Sequence, residues 1–581
     1  MKRGLIVLAV MLSVSCVRAE DAPRLKAPQR WYHIMTNLLR DEVLDKEIAL
    51  MKRAAAAGYN GVVVNDVKLI KYHLQPEKYA ENVRAFRRAC ADSNVKFIPC
   101  VTPMGYANEI LAHDPNLAEG MPVRGATFVV TDGRLVPDAS DFPALVNPSF
   151  EEFTGERPRG WEIDDPGTIS FIDADVKSDG KVSVRQQDVA TQKDGRGRVF
   201  QRLRVKPFHY YHVSVMVKTE DCKNRDMRIM ALSKDGGTAL NWQPPAIQQT
   251  MDWTRIHATF NSLTDSEITL YLGSWNPKTG KIWWDDVQVE PGGWVNIIRR
   301  DSLPLVVTST DGATTYVEGR DFSAVRDPRL ANDPNPGYFT MWHEPPTVTV
   351  PAGSRLKEGQ KILVGYHHAT NCGKDFQVTC CMSEPRLYEV MERQIRWMKA
   401  TADPDVYFMA HDEIRQQGWD DTCAKRGLTC GEILADNAKR CTAIIEKTDP
   451  GKPIVVWSDM FDAHHNARRT AEDGGRFIMY LVKGEGPWHE SWLGLAPRVG
   501  VVNWNGGRKD SYRFFSSRGN QQIISGVDAK KIVQWLKESG KNPGVVGVMY
   551  TTWTGDFSRN LENYVEAVRK WEEESGGFGG E

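Results

Sequence analysis

The stretch VYFMAHDEI, residues 406–414, is an apolar run that ends in three ionisable residues. Its first five residues are apolar and predict a short buried strand, after which His411, Asp412 and Glu413 enter a loop. Parallel-sheet enzymes carry their chemistry at such strand ends. Two adjacent carboxyl groups there cannot both ionise at low cost, so we expect one of them to have a raised pKa and to act as an acid. The alternative is that Asp412 caps the next helix and Glu413 is solvated.

The composition predicts an ordinary globular protein of two or three domains. The chain has 581 residues, 41% of them hydrophobic and 26% charged, and a formal net charge of -1. Such a balance gives no reason to expect nucleic acid or an anionic membrane as a partner. The 18 Trp and 17 Tyr residues supply flat surfaces suited to sugar rings, although most aromatic residues pack in cores.

The N-terminus has the layout of a secretory signal peptide, here assigned to residues 1–19. A charged start, MKR, precedes the apolar stretch GLIVLAVML and then small residues. Cleavage after Ala19 is favoured over lipoprotein processing at Cys16, because Ser13 stands where the lipoprotein pattern usually has Leu. No later segment is apolar enough to span a bilayer. We therefore expect an exported, periplasmic or extracellular protein without a membrane span.

The ten cysteines show no zinc-binding pattern. Export permits disulfides, and two combinations are close enough in sequence to be candidates. These are Cys423 with Cys430, and Cys372 with either Cys380 or Cys381; spacing alone does not choose between them.

Two regions alternate between apolar strands and amphipathic helices, which is typical of a parallel sheet. Residues 20–139 supply three strands, and Asn65 and Asp66 follow the second of them. Residues 383–581 supply five more, at 406–410, 453–457, 477–482, 499–504 and 545–550. Eight such units predict an α/β fold, a (β/α)8 TIM-type barrel.

The segment between the two regions is all-β. Short alternating strands with Gly, Asp and Asn turns fill residues 140–295 and predict a jelly-roll sandwich inserted between barrel strands three and four. Residues 296–382 continue as a β-rich connection whose function the sequence leaves open.

Aromatic residues and carboxylates recur where the later strands end. A pocket walled by Trp and floored by acids suits an uncharged sugar, which offers apolar ring faces and hydroxyls. The predicted substrate-binding residues are His411, Trp457, Asp459, Tyr480, Trp504, Tyr550 and Trp553, together with Asn65 and Asp66.

Glycoside hydrolysis normally needs two carboxyl groups, an acid and a base or nucleophile. If Glu413 is the acid, the predicted strand seven offers no partner, and Glu485 lies one strand early. The other solution is substrate assistance, in which a 2-acetamido group on the sugar supplies the nucleophilic oxygen. The protein then needs one acid and one carboxylate that orients the acetamido group, which Glu413 and Asp412 would provide.

Residues 140–295 resemble carbohydrate-binding modules of the galactose-binding-like jelly-roll type. The matching pieces are NPSFE at 147–151, Gly160-Trp161 and WWDD at 283–286. The resemblance implies a sugar-binding module, with Trp242 and Trp275 able to stack on sugar. It also implies a structural calcium held by Glu151 and Asp286. The alternative is that the insert is only a spacer.

The barrel region resembles the β-N-acetylhexosaminidases of glycoside hydrolase family 20 and the related β-N-acetylgalactosaminidases of family 123. The matching motifs are HDE at 411–413, WSD at 457–459 and YTTW at 550–553. The resemblance implies that Glu413 is the general acid/base and that Asp412 orients the acetamido group. It also implies that Trp457, Trp504 and Trp553 wall the subsite, and that Asp459 or Tyr480 holds sugar hydroxyls or the acetamido group.

The expected function is therefore an exported glycoside hydrolase that acts with retention on β-linked N-acetylhexosamine and needs no catalytic cofactor. Its expected partner is an oligosaccharide, polysaccharide or glycoprotein glycan. One alternative keeps the barrel but uses Glu485 or Asp459 as nucleophile on other sugars, and another is a non-catalytic glycan-binding protein. A metal-dependent hydrolase fits less well, because His464 and His465 form no clear ligand set with His411.

Overall fold

The computed structural model describes most of the chain. The described residues are 23–191, 195–223, 227–274, 279–373, 377–469, 479–553, 555, 557 and 560–579. The predicted signal peptide, including Cys16 and Ala19, and Trp275 lie outside these residues.

Eight parallel strands close into a barrel, as the alternation of strands and helices predicts. Every neighbouring pair around the barrel is parallel, and the last strand pairs with the first. The strands are β1 Gln29–Met35, β2 Gly61–Asn65, β3 Lys96–Val101, β4 Tyr407–Met409, β5 Ile454–Trp457, β6 Gly500–Asn503, β7 Gln522–Gly526 and β8 Val545–Thr551.

One predicted strand is wrong. The described part of the apolar run 477–482 is 479–482, in which Leu481–Val482 form a strand that pairs with Gln416–Gln417 outside the barrel. Leu481 packs into the core of the inserted β domain, which explains why an apolar residue stands at this position. The strand predicted as the seventh is β6, and the true β7 is the more polar segment QIISG.

Helices pack around the outside of the barrel. They are α1 Asp41–Ala57, α2 Glu77–Asp92, α3 Asn108–Leu111, α4 Pro385–Ala402, α5 Asp421–Ala424, α6 Cys430–Thr448, α7 Lys509–Ser517, α8 Ala529–Ser539 and α9 Leu561–Ser575. None of the helices in the described part of the chain combines the length and apolarity that crossing a membrane requires.

Two hydrophobic cores lie on opposite sides of the barrel wall, because successive strand residues point to opposite faces. The interior core contains Trp31, Val63 and Phe408, whereas the core between strands and helices contains their neighbours Tyr32 and Val64. This alternation decides which residue at each strand end faces the mouth of the barrel.

Between β3 and β4, the described residues of 162–291 form a two-sheet β domain, called the sandwich below. Its sheets are antiparallel and contribute to one hydrophobic core. One sheet has the order Met251–Asn261, Tyr210–Glu220, Lys281–Pro291, Ser183–Gln187, Ser170–Asp173, and the other has Met227–Ser233, Glu267–Ser274, Arg198–Arg204, Glu162–Ile163.

A third antiparallel sheet connects the sandwich to the barrel. Its path is Ile297–Ile298, Lys361–His368, Met121–Thr131, Arg134–Pro137, and Val306–Ser309 pairs beside Lys361–His368. The core of the sandwich also includes Cys372 and Leu481 from neighbouring segments, so the sandwich packs firmly against the barrel loops.

Candidate active site

Strand β4 delivers Asp412 and Glu413 to the mouth of the barrel. Tyr407 and Met409 belong to the outer core, whereas Phe408 lies in the interior core and Ala410 packs against it. Continuing this alternation turns His411 outward and Asp412 toward the barrel axis. Glu413 then adopts a φ of +46°, a left-handed conformation that costs a non-glycine residue about 1–2 kcal/mol. The backbone therefore bends sharply at the residue predicted to be the acid.

Three neighbours hold Glu413 in this position. Its backbone N–H donates a 2.9 Å hydrogen bond to Oδ2 of Asp459. The Tyr106 hydroxyl donates to its Oε2, and Nη2 of Arg415 lies 3.2 Å from the same oxygen. The Glu413 side chain keeps 30% of its surface exposed, so its carboxyl group is oriented and still accessible.

The three carboxyl groups at this site influence one another. Burial, reinforced by the negative charges of Asp459 and Glu413, raises the pKa of Asp412 well above its usual value. Burial also raises the pKa of Asp459, whose carboxylate accepts hydrogen bonds from Asn466 and from Nε1 of Trp504. Asp412 and Asp459 therefore hold a proton to a higher pH than an exposed aspartate does.

Aromatic rings form a wall beside the carboxyl groups. Trp457 is buried at the top of the barrel interior, and its ring lies 6.1 Å from the ring of Trp553, which is 58% exposed. Trp504 is also exposed and is tied to Asp459 at 3.3 Å. The structure thus brings all three predicted tryptophans to the mouth of the barrel.

His33 joins this wall, although the motif analysis missed it. Its imidazole is fully buried, 4.9 Å from the ring of Trp553, and burial lowers its pKa to about 4. The alternation along β1, in which Trp31 points inward, is the sequence signal that would have found it.

Tyr480 and Arg415 form a second edge of the site. The Arg415 guanidinium carbon lies 5.6 Å from the centre of the Tyr480 ring. Burial and the negative charge of Asp459 raise the pKa of Tyr480. Tyr480 therefore reaches the site from the loop between β5 and β6, not from a barrel strand as predicted. Tyr106 and Arg415 carried no motif signal.

Two predicted residues point away from the mouth. The ring of His411 is fully buried, and its Nε2 lies 2.9 Å from Oδ1 of Asn437 on α6. Tyr550 is buried in the outer core, with its ring 5.1 Å from that of Tyr564 on α9. Each follows an inward-facing residue by one position, so strand alternation turns it toward the helices. The placements argue against the predicted sugar contacts.

The two residues predicted at the end of β2 are placed differently from each other. Asp66 is buried and accepts hydrogen bonds from the backbone N–H groups of Leu38 and Lys68. It therefore anchors the loop after β1 and caps the following turn instead of contacting a ligand. Asn65 is half-buried and, by alternation with the interior residue Val63, faces the barrel axis.

Neither alternative nucleophile has a suitable position. Glu485 is exposed in the loop between β5 and β6. Asp459 is fully buried and is occupied by its donors. Within residues 522–528, the end of β7, the single carboxylate is Asp528, which caps α8 through the Lys531 N–H.

Each of the two predicted calcium ligands has another partner within the protein. Asp286 forms an ion pair with Arg255, which supplies the positive charge that a calcium ion would provide. Glu151 accepts hydrogen bonds from the backbone N–H groups of Lys181 and Val182. These residues do not fit a shared cation. Trp242 is half-buried, and the Arg228 guanidinium lies 4.4 Å from the centre of its ring.

The predicted disulfides are not formed. All nine cysteines in the described ranges are free and buried. Cys381 and Cys423, a pair that was not predicted, have their Sγ atoms 3.7 Å apart. In the described part of the chain, the residues that could jointly hold a metal ion are these two with Glu119 and Asp420, and the set includes none of the histidines considered above.

Comparisons with known proteins relate the sandwich to carbohydrate binding. A carbohydrate-binding-module family model, CBM_4_9_1, described as BppA domain 1, matches residues 150–289. No curated protein matches the chain.

Three solved structures among those that match have low identity and low TM-scores. A rhamnosidase from Novosphingobium sp. PP1Y is 12% identical, covers 92% of this chain and 56% of its own, and has a TM-score of 0.31. A family 16 carbohydrate-binding module is 17% identical, covers 25% and 97%, and has a TM-score of 0.19. Dispersin B is 11% identical, covers 33% and 60%, and has a TM-score of 0.20. The family match, which covers the sandwich alone, is thus the informative comparison.

Proposed function

We propose that this protein is an exported glycoside hydrolase that cleaves β-linked N-acetylhexosamine by substrate assistance. The observation that carries the proposal is the pair Asp412 and Glu413 at the end of β4, with no matching carboxyl group at the end of β7. Residues 522–528 hold only the helix cap Asp528, so the described part of that strand end supplies no protein nucleophile. A nucleophile from the substrate completes the chemistry.

In this mechanism Glu413 is the general acid. It protonates the glycosidic oxygen while the acetamido oxygen of the substrate attacks the anomeric carbon, and the bond to the leaving group breaks. Asp412 accepts a hydrogen bond from the acetamido N–H and stabilises the positive charge that develops on the cyclised intermediate. Glu413 then takes a proton from water, which opens the intermediate with overall retention.

Each neighbour of the pair has a role. Asp459 fixes the strained backbone of Glu413, and Tyr106 with Arg415 orients its carboxyl group. Trp457, Trp504 and Trp553 offer apolar surface to the sugar ring. Asn65 and Tyr480 offer polar contacts at the rim.

In this proposal the fold is a TIM-type barrel interrupted by a jelly-roll module. Residues 1–19 are the signal peptide, 20–139 and 383–581 the barrel, 140–295 the module and 296–382 the connection. The family match over residues 150–289 supports a second function, carbohydrate binding by the module.

Chromogenic glycosides test the proposal. We expect hydrolysis of β-N-acetylglucosaminide or β-N-acetylgalactosaminide, and none of the plain β-glucoside and β-galactoside. A thiazoline mimic of the cyclised intermediate should inhibit competitively. Hydrolysis of the plain sugars without thiazoline inhibition would instead indicate a protein nucleophile and overturn substrate assistance.

A further inference from the structure

A cleft of about 690 Å³ lies between the sandwich and the barrel loops. The sandwich side is formed by two turns, which carry Lys234 and Asp235, and Thr264 and Asp265. The barrel side is formed by the segment that begins at Tyr480 and by Trp419. The cleft is large enough for sugar residues of an oligosaccharide.

The floor of the cleft is apolar and rigid. Leu240 and Leu263 of the sandwich and Leu481 of the barrel loop are buried in one hydrophobic core. Because the two sides share this core, they do not separate without exposing it, and the cleft is a built feature of the fold.

Trp419 provides a fixed aromatic surface in the cleft. Its indole N–H donates a 2.9 Å hydrogen bond to the Leu481 carbonyl, and its backbone N–H donates to Oε1 of Glu119 at 3.0 Å. The ring is half-buried, so part of it remains accessible. A restrained aromatic ring contributes contact area at low entropic cost.

The cleft adjoins the candidate active site at Tyr480. Tyr480 lines the cleft, contacts Arg415 through its ring, and Arg415 pairs with Glu413 at 3.2 Å. The short parallel pair of Gln416–Gln417 with Leu481–Val482 fixes the loop after Glu413 to the cleft wall. Two side chains therefore separate the predicted acid from the cleft.

The polar lining favours an uncharged ligand. Thr238 and Thr264 contribute hydroxyl groups, and Lys234 is the positive group beside the two aspartates, Asp235 and Asp265. The hydroxyl of Ser233 is buried and donates to Oδ1 of Asp235 within the turn. Sulfated or carboxylated sugars would face these aspartates. Neutral sugars are matched by hydroxyl and carboxylate hydrogen bonds above an apolar floor.

We infer that this cleft is a second carbohydrate subsite, which binds neutral sugar residues of the chain whose end is cleaved at Glu413. The inference rests on the proposed function for the identity of the sugar. It makes an oligosaccharide, rather than a single N-acetylhexosamine unit, the ligand that the full site is built to bind.

Calorimetric binding to the full chain tests the subsite independently of turnover. The probes are tetrasaccharides of β-linked N-acetylglucosamine and of β-linked N-acetylgalactosamine, with each monosaccharide for comparison, all bound to the Glu413→Gln variant. Adding Trp419→Ala should weaken binding of the preferred tetrasaccharide about tenfold or more and change monosaccharide binding less than about twofold. Trp253→Ala is the matched control, because Trp253 is a half-buried sandwich tryptophan that does not line the cleft.

The double variant Lys234→Ala/Thr264→Ala keeps the test valid if Trp419→Ala fails to fold, since both side chains are exposed. Failure of both tetrasaccharides to bind, or equal losses for tetrasaccharide and monosaccharide, would overturn the subsite. The proposed function fails separately, through absence of turnover by the wild-type protein on the chromogenic glycosides.

Discussion

The backbone N–H of Glu413 donates a 2.9 Å hydrogen bond to Oδ2 of Asp459, which joins the ends of β4 and β5 at a residue with a left-handed backbone. Glu413 is thereby held with its carboxyl group partly exposed while Asp459 itself is buried. This bond makes Glu413 the member of the carboxyl cluster best placed to reach a ligand, and Asp459 its support.

Glu413→Gln should reduce kcat on the preferred N-acetylhexosaminide by about 10²–10⁴-fold and leave ligand binding intact, because a glutamine has similar shape but no proton to transfer. Steady-state kinetics and calorimetry measure the two effects. Glu485→Gln is the matched control, since Glu485 is exposed outside the site, and it should keep the wild-type rate. A larger loss in the control than in Glu413→Gln would reassign the catalytic carboxylate.

Asp459→Asn should lower kcat by about 10–100-fold. The substitution replaces one carboxylate oxygen with an NH2 group, which cannot accept the hydrogen bonds that Glu413, Asn466 and Trp504 donate to Asp459. Asp66→Asn gives the contrast. Asp66 serves Leu38 and Lys68 at a buried turn, so its replacement should cost about 1–3 kcal/mol of unfolding free energy and spare kcat. Denaturant titration and kinetics on both variants check this, and equal kinetic losses would contradict a positioning role for Asp459.

Asp412→Asn should lower activity on 2-acetamido substrates and yet stabilise the protein at neutral pH. Burial and the neighbouring charges of Asp459 and Glu413 raise the pKa of Asp412 in the folded state. The folded protein therefore binds this proton more tightly than the unfolded chain, and its stability falls as pH rises through the folded pKa. The neutral amide removes that loss.

The melting temperature of Asp412→Asn should thus exceed that of the wild type at pH 7–8. The increase should be roughly 2–4 °C for each kcal/mol gained in unfolding free energy, and it should shrink toward pH 4. Thermal unfolding across this pH range measures it. A variant less stable than the wild type at every pH would show that Asp412 supports the fold instead of straining it.

The barrel could be predicted from the sequence because each strand is a short apolar run buried on both faces. The exception is β7, whose polar residues are satisfied internally: Gln522 donates to the Tyr512 carbonyl, and Ser525 bonds to Thr551. Such internal hydrogen bonds leave no apolar signature, so the sequence predicts a strand at the apolar run 477–482 instead, where Leu481 packs in the core of the sandwich.

Asp412 and Glu413 could be predicted as site residues because these two acidic residues follow closely after an apolar strand. His411 and Tyr550 were misplaced because a motif match ignores which face of the strand a residue occupies, and one position separates the barrel axis from the helix layer. Tyr106 and Glu413 are 307 positions apart in sequence, and no local sequence pattern predicts such a contact.

Removal of divalent cations should leave the stability of the sandwich unchanged. Arg255 neutralises Asp286, and backbone N–H groups satisfy Glu151, so the predicted calcium ligands have other partners. Thermal unfolding with EDTA and with added calcium measures this. A melting temperature that falls by several degrees with EDTA and recovers with calcium would restore the calcium site implied by the resemblance to carbohydrate-binding modules.

Tyr106→Phe isolates the contribution of one hydroxyl to the orientation of Glu413. The hydroxyl donates to Oε2 of Glu413, and hydrogen bonds to charged groups contribute about 1.5–3 kcal/mol, so kcat/KM should fall by roughly 10–100-fold while the ring remains in place. Tyr550→Phe is the matched control, because Tyr550 lies in the outer core against Tyr564, and kcat/KM should stay within about twofold of wild type. If the two variants lose activity equally, the Tyr106 hydroxyl does not orient Glu413, and Arg415 alone holds the carboxyl group.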